Sequence, residues 1–210
     1  VRGTNGWGLG TLVSTRGGAH TTGAVWWELI SDKITDEDAL ELFGIPNFSK
    51  ARIPTSYEGT VDMVLYNEIL HRVCNSTGVC LYNTVMQSFE FTNLHDFAEL
   101  LSAATGDEYT VKDLEDIATR QLNLEKAFNL KFTEFARQDD IPQPRHFEPI
   151  PTGKSAGWQL ERAEWDKMLD EYYEKHGWDK KTSYPKRETL EKYGLIKAAR
   201  DMESIGKLGG

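Results

Sequence analysis

The sequence is poor in cysteine, in basic residues relative to acidic ones, and in long apolar runs. Only 2 cysteines occur among 210 residues, so we do not expect a disulfide framework in a chain of this size. Lys and Arg number 24 against 33 Asp and Glu, a formal net charge of -9. This balance argues against a nucleic-acid partner, because phosphate binding depends on clustered cations. No apolar run approaches the roughly 20 residues that span a bilayer, and no signal peptide is visible. We therefore expect a reducing, cytoplasmic compartment.

The rest of the composition is that of a folded protein. Of the residues, 39% are hydrophobic and 11% aromatic, which is enough for one substantial core or two small ones. The chain begins at Val1 without an initiator Met and enters a glycine-rich segment, so we expect it to be the C-terminal part of a longer polypeptide. It contains no G-x-S-x-G, P-loop or H-E-x-x-H motif, and the chemistries of those motifs are not expected.

Residues 1–25 carry so many glycines that we predict neither a regular helix nor a strand there. Within this segment, Arg16-Gly17-Gly18-Ala19-His20 has the residue types of an anion site. Backbone N–H groups of a Gly-Gly turn can form an anion nest, and Arg16 can pair bidentately with a phosphate. An ordinary surface loop is the alternative interpretation.

The remaining sequence predicts helices between capped turns, with no alternation typical of strands. Apolar residues at helical spacing run from Val61 to Val73, toward Gly78. Residues 44–56 are predicted as a loop, and the prolines of residues 139–157 favour an extended segment without helix. Further helices are predicted from Thr35 to near Gly44, from Asn93 to Gly106, from Thr110 to about Phe128, from about Trp165 to Gly177, and from Arg187 to Tyr193.

The predicted turn after the helix that ends near Gly78 is polar. Asn75, Ser76 and Thr77 can hydrogen-bond their own backbone or a ligand, and Cys80 follows at the start of the next apolar segment. Cys80 is a candidate metal ligand, although a thiol at such a place is also a common small core residue. The spacing C-x5-C is not that of a zinc site.

Other candidates have structural alternatives. The block Trp26, Trp27, Leu29 and Ile30 is predicted to pack in the core, and a substrate-pocket wall is the other possibility. Asp139 and Asp140 are predicted to be solvated loop residues. No metal-ligand spacing connects the other histidines, which are interpreted as structural: His71, His95, His146 and His176.

Two of these segments resemble elements of the tungsten-containing aldehyde ferredoxin oxidoreductase family. Residues 75–80, Asn-Ser-Thr-Gly-Val-Cys, are similar to the family's Asp-x-x-Gly-Leu-Cys, in which the acid contacts the pterin and the Cys ligates a 4Fe-4S cluster. Residues 16–20 are similar to Arg-Gly-x-x-His, where the Arg binds the tungstopterin and the His lies beside the metal. The resemblance implies a catalytic His20, a cluster ligand at Cys80, and cofactor contacts from Arg16, Thr22, Asn75, Gly78, Val79 and Leu81.

Two positions depart from the family pattern. Asn75 replaces the Asp, and Asn keeps an acceptor oxygen but gains an NH2 donor. Thr22 occupies the place of a pterin-contacting Lys, and a hydroxyl can donate a hydrogen bond but supplies no charge.

The back half of the chain carries the second part of the resemblance. Its pieces follow the family's C-terminal signature in order and spacing, while residues 130–132, Leu-Lys-Phe, replace the family's Arg-Glu-Gly in a divergent member. The resemblance implies an all-α, multihelical fold that corresponds to the two C-terminal domains of the family. We expect a cofactor-contacting region at 1–136 and a proline-rich wrapping segment with C-terminal helices at 137–210, without the N-terminal pterin-binding β domain. The matching pieces are Ala127-Phe128-Asn129, residues 137–142, Pro144-Arg145, Glu148-Pro149, Tyr172-Tyr173, residues 177–179 and Gly194-Leu195.

The function implied by the resemblance is oxidation of aldehydes to carboxylic acids at a tungsten or molybdenum bis-pterin, with a 4Fe-4S cluster and ferredoxin as electron acceptor. The remainder of the enzyme would supply three further cluster ligands. The resemblance also implies a homo-oligomer or hetero-oligomer and, in place of ferredoxin, an iron-sulfur electron-transfer subunit as a possible partner. The alternatives are the tungsten subunit of a class II benzoyl-CoA reductase, acting on an acyl-CoA, and a helical scaffold without cofactor.

Overall fold

The computed structural model describes residues 2–23 and 25–210, and these residues form an all-α fold. Within them the only β pairings are isolated bridges, so the predicted fold class is confirmed. None of the described helices combines the length and apolarity needed to cross a membrane. The helices are α1 (Asn5–Leu12), α2 (Asp36–Phe43), α3 (Phe48–Ala51), α4 (Thr60–Thr77), α5 (Leu94–Thr105), α6 (Val111–Phe132), α7 (Arg162–His176), α8 (Arg187–Lys192) and α9 (Ile196–Ser204).

The chain divides into two compact units. The first comprises residues 3–118, and the second comprises residues 119–210 together with Arg2. Helix α6 begins in the first unit and continues into the second. The functional division predicted between 136 and 137 stays a prediction.

Side-chain caps begin several helices where the sequence predicts them. Thr35 Oγ1 accepts a hydrogen bond from the Asp38 N–H at the start of α2, and Asn93 and Asp96 form a capping box on α5. Such caps satisfy backbone donors that have no partner inside the helix. The predicted stops are also confirmed, because α2, α4, α5 and α7 all end at glycines in the left-handed region: Gly44, Gly78, Gly106 and Gly177.

The prediction that residues 1–25 contain no regular helix is wrong, because α1 lies there and includes Gly6, Gly8 and Gly10. A Cβ on Gly6 would lie 3.0 Å from Cγ2 of Val25, closer than most real Cβ contacts. Close packing thus requires glycine at this position. The packing offsets the cost of glycine in a helix, about 1 kcal/mol per residue.

Four smaller points of the prediction also need correction. Residues 44–56 include the short helix α3. The proline-containing segment is not wholly extended, because 3₁₀ turns span Arg137–Asp140 and Pro144–Phe147. Helix α9 follows Gly194 and was not predicted. Helix α6 extends to Phe132, four residues past its predicted end.

Each unit has its own aromatic core. In the first, the Trp27 ring is fully buried and stacks on Phe43 at 4.7 Å between ring centroids, and its Nε1 donates to Val85 O at 2.7 Å. In the second, Tyr172 and Trp178 pack edge to face at 5.9 Å. Each unit therefore buries large apolar area of its own, which is the dominant favourable contribution to folding.

Candidate functional site

The loop that carries Arg16 and His20 is closed by hydrogen bonds at its base. The hydroxyls of Ser14 and Thr22 lie 2.5 Å apart, and Thr22 Oγ1 donates to Ala19 O at 2.8 Å. Gly17 and Gly18 both have positive φ angles, of 71° and 65°. The loop thus presents an exposed stretch of backbone, held at both ends.

The predicted ligands differ in exposure within this loop. Arg16, Gly17, Gly18 and His20 are exposed to solvent. Thr22 is 2% exposed, and its hydroxyl already takes part in the loop's own hydrogen bonds. Its predicted cofactor contact stays a prediction, and its contribution visible here is to close the loop.

The second predicted segment follows the end of α4. Gly78 takes a φ of 77°, and its N–H donates to Cys74 O at 2.9 Å. The chain then turns outward, so that Asn75, Val79 and Cys80 are exposed, Leu81 is half-buried, and a 3₁₀ turn covers Leu81–Asn83. The Asn75 amide nitrogen lies 3.4 Å from Nδ1 of His71. The left-handed glycine lets the helix stop here without a side-chain penalty.

The two cysteines lie in opposite environments. Both are free thiols, Cys74 buried and Cys80 exposed. Burial, and then the charge of nearby Cys80, raises the pKa of the Cys74 thiol to about 12. Since a metal ligand must be accessible to the ion, the exposed Cys80 is the better candidate of the two.

A buried arginine connects the two predicted segments, and sequence analysis did not single it out. Arg72 is 1% exposed, its Nη1 donates to Glu68 O at 2.9 Å, and its Nη2 donates to Thr15 Oγ1 at 3.0 Å. Thr15 immediately precedes Arg16, and Asn75 follows Arg72 by one turn's spacing on α4. One sequence pattern could have identified Arg72. Glu68 and Arg72 are charged residues four positions apart among apolar ones, a pattern that indicates a polar contact in the interior.

A row of four rings also joins the segments. The imidazole of His20 stacks on Trp7 with centroids 5.7 Å apart and planes at 10°. Trp7 meets Trp26 edge to face at 4.8 Å, and Trp26 meets Tyr82 at 6.1 Å. The aromatic block prediction is therefore correct for Trp27, which lies in the core, while Trp26 is half-buried and belongs to this row.

Glu28 binds the backbone of Trp7, one member of this row of rings. Its carboxylate accepts hydrogen bonds from the N–H groups of Gly6 and Trp7, at 2.7 and 2.9 Å, in the first turn of α1. A carboxylate is favourable at the positive end of a helix. Burial nevertheless raises the pKa of Glu28 to about 7, and the two N–H groups oppose that rise.

The prediction that Asp140 is a solvated loop residue is wrong. Asp140 is 3% exposed, and its Oδ2 accepts a hydrogen bond from the Tyr173 hydroxyl at 2.5 Å. Burial raises the pKa of Asp140, and the charge of Lys126 opposes the rise. Asp139, by contrast, is exposed as predicted.

The other histidines show no ligand cluster. His71 and His176 are buried, His95 is exposed and His146 is half-buried. Among the described residues, no group of three or more His, Cys, Asp or Glu side chains is arranged to hold a metal ion. A metal held with help from this chain would therefore need ligands from elsewhere.

Comparison with known families gives the class of protein. The sequence profile described as "Aldehyde ferredoxin oxidoreductase, domains 2 & 3" matches residues 1–195. The chain therefore belongs to the aldehyde ferredoxin oxidoreductase family, and the predicted resemblance is confirmed.

Individual relatives agree with this assignment. The chain is 31% identical over 195 residues to the tungsten-containing aldehyde ferredoxin oxidoreductase of Pyrococcus furiosus, covering 92% of this chain and 28% of that protein. It is 37% identical over 71 residues to the aliphatic sulfonate oxidoreductase, WOR-like subunit, of the same organism, covering 34% of this chain and 11% of the relative. The chain thus spans little more than a quarter of the first relative's length.

A solved structure shares the fold. A chain of the active site complex BamBC of benzoyl coenzyme A reductase, in complex with 1,5-dienoyl-CoA, superposes with a TM-score of 0.62. The similarity covers 79% of this chain and 22% of that chain, at 22% sequence identity. This likeness supports the helical fold of the family.

Proposed function

We propose that this chain is the C-terminal portion of a tungsten or molybdenum bis-pterin oxidoreductase that oxidises aldehydes to carboxylic acids, with ferredoxin or an iron-sulfur subunit as electron acceptor. The observation that carries the proposal is the hydrogen bond between Arg72 and Thr15. It ties the loop of Arg16 and His20 to the helix whose end presents Asn75 and Cys80. This contact supports the assignment of the two segments, distant in sequence, to one site.

The donor set suits the proposed cofactor. An exposed guanidinium and exposed Gly-Gly backbone at residues 16–18 are suited to the phosphate of a pterin. The Asn75 amide, with Gly78, Val79 and Leu81 beside it, offers neutral hydrogen-bonding groups and backbone to the ring system. When bound, the metal-pterin group supplies the two-electron redox chemistry. The exposed Cys80 thiol would be one of the four thiolates that a 4Fe-4S cluster usually needs.

His20 would handle the proton. Oxidation of an aldehyde hydrate to the acid releases two electrons and two protons, and a bound cofactor would take up the electrons. An imidazole near neutral pH can accept one of those protons at a ring nitrogen. The ring lies nearly parallel to that of Trp7, with centroids 5.7 Å apart, and this contact restrains its rotation.

Two other functions make different predictions. A benzoyl-CoA reductase-type subunit would pass electrons into an aryl thioester instead of taking them from an aldehyde. A scaffold without cofactor would bind no tungsten, no molybdenum and no iron. The thiol of Cys80 is free and exposed to solvent, which favours a ligand function over the scaffold.

The proposal is tested on the full-length protein, purified without oxygen. We expect tungsten or molybdenum, about four irons per protomer, and aldehyde oxidation with reduction of ferredoxin. Cys80→Ser should lose most of its iron, whereas the buried, matched control Cys74→Ser should retain it. Metal-free and iron-free wild-type protein would reject the proposal, and reduction of an aryl-CoA without aldehyde turnover would select the reductase.

A further inference from the structure

We infer that Trp7, Trp26 and Tyr82 form an aromatic wall beside His20 that makes the site selective for aldehydes carrying a flat aromatic ring. This inference rests on the proposed function, since it names the substrate class of the same site. It adds three specificity-determining residues that the sequence motifs do not include.

The wall differs from the other aromatic cluster of the first unit in its exposure. Trp27 and its ring partners Phe43 and Phe48 are buried in the core. Trp7 and Trp26 are only half-buried, and Tyr82 is 48% exposed. Ring surface in this row therefore remains available to a bound molecule.

The arrangement of the rings favours another ring as the occupant. Successive members of the row meet edge to face, at interplanar angles of 64° and 67°. Aromatic pairs attract through this geometry or through offset stacking, by an amount beyond the burial of apolar area. A saturated ring of the same size gains the burial but not the quadrupole attraction. The row thus distinguishes flat aromatic groups from saturated ones.

Trp26 offers a polar contact as well. Its indole N–H is buried and has no hydrogen-bond partner among the described residues, whereas that of its neighbour Trp27 donates to Val85 O. Buried donors in folded proteins are nearly always satisfied. A carbonyl or carboxylate oxygen of a bound aldehyde or acid is an acceptor of the required kind.

The test compares benzaldehyde with cyclohexanecarbaldehyde, which have the same carbon skeleton size and differ in aromaticity. In the metal-loaded full-length enzyme, we expect the ratio of kcat/KM values to favour benzaldehyde. Trp26→Leu should lower that ratio by about 2- to 12-fold, the fold-change that corresponds to one aromatic pair. Trp7→Leu should do the same, and Trp7→Phe should restore most of the preference.

Two further variants serve as a negative control and as a substitute for Trp26→Leu. Leu40→Ala, on an exposed apolar residue of α2, should leave the ratio unchanged. If Trp26→Leu does not fold, judged by metal content and circular dichroism, the exposed Tyr82→Leu replaces it. A ratio that stays at the wild-type value in both Trp26→Leu and Tyr82→Leu overturns the inference.

Binding separates this inference from the proposed function. Calorimetric titration of the same protein with benzoate and with cyclohexanecarboxylate should show tighter binding of benzoate, reduced by Trp26→Leu. If neither aldehyde is oxidised but benzoate is selected, the aldehyde reaction is wrong and the aromatic wall stands. If both acids bind equally, the wall is wrong whatever the activity.

Discussion

The guanidinium of Arg72 donates from Nη2 to the hydroxyl of Thr15 over 3.0 Å, and in doing so joins helix α4 to the loop of residues 14–22. Arg72 is 1% exposed, so this charge is desolvated. Burying a charge is costly unless its hydrogen bonds are satisfied. The contact therefore stabilises one loop position relative to α4 and penalises the others.

Replacing this arginine should separate folding from cofactor retention. We expect Arg72→Met to lower the free energy of unfolding by about 3 kcal/mol, because two acceptors lose a charged donor whose hydrogen bonds contribute roughly 1.5–3 kcal/mol each. Thr15→Ala should cost about 1 kcal/mol, the value of one hydrogen bond. Thermal unfolding of the full-length protein measures these losses of stability. Tungsten content per protomer measures cofactor retention.

The exposed Arg16→Met is the control for the Arg72 variants. It should leave the melting temperature near the wild-type value, because surface substitutions seldom change stability by more than about 0.5 kcal/mol, while still lowering tungsten content. Equal melting temperatures for Arg72→Met and Arg16→Met would contradict the structural role of Arg72.

Glu28 should make stability depend on pH. Its pKa is raised from 4.5 to about 7, chiefly by burial. The folded state thus binds this proton more tightly than the unfolded state, and the stabilisation is full below the unfolded pKa and is lost as the pH rises through the folded one. We expect a loss of about 3 kcal/mol between pH 4.5 and pH 7.

Glu28→Gln tests this assignment. The amide cannot ionise and keeps one acceptor oxygen for the Gly6 or Trp7 N–H. Melting temperatures across pH 5 to 8 should fall less steeply in the variant than in the wild type, by an amount that reflects about 3 kcal/mol. Parallel pH profiles for the two proteins would remove Glu28 as the titrating group.

The pair of Asp140 and Tyr173 should be a stability element of the second unit. Asp140→Asn removes the charge that faces Lys126 and weakens the short bond to Tyr173, so we expect a loss of about 2–4 kcal/mol. Tyr173→Phe should cost roughly 1–3 kcal/mol because the Asp140 oxygen loses its donor. A double-mutant cycle from melting data measures the coupling between them.

The neighbouring acid supplies the matched control for that pair. Asp139 is exposed, and its carboxylate accepts the N–H of Ala136, a contact that an amide oxygen can also make. Asp139→Asn should therefore change stability by less than about 1 kcal/mol. A loss as large as that of Asp140→Asn would mean that net charge in this segment, and not the buried contact, is responsible.

Local signals predicted the helix boundaries well, and predicted less where distant residues decide the outcome. The α5 capping box of Asn93 and Asp96 forms within four residues, so the sequence contains all of its partners. Helix α1 was missed because glycine has a poor helix propensity. Its Gly6 packs against Val25, and its first N–H groups bind Glu28, contacts that span about twenty residues of chain.

The candidate site likewise contains residues that the sequence identified and residues that only the structure revealed. Motif resemblance identified Arg16, His20 and Cys80, and the family assignment was confirmed by the match over residues 1–195. Their cofactor roles stay predictions. Resemblance did not reveal Arg72, which connects the two motifs, nor the different positions of Trp26 and Trp27, since consecutive residues of one type carry no signal of which one faces the core.

For this protein, the order of apolar and capping residues was enough to predict most of the helices and their ends, because those interactions act within one or two turns, and the family resemblance supplied the all-α fold class. Folding in three dimensions decided that Asp140 is buried while Asp139 is solvated, and that His20 stacks on Trp7. Burial and ring contacts depend on which elements pack together. That packing is determined by contacts throughout the unit, between residues distant in sequence, so a local sequence pattern does not specify it.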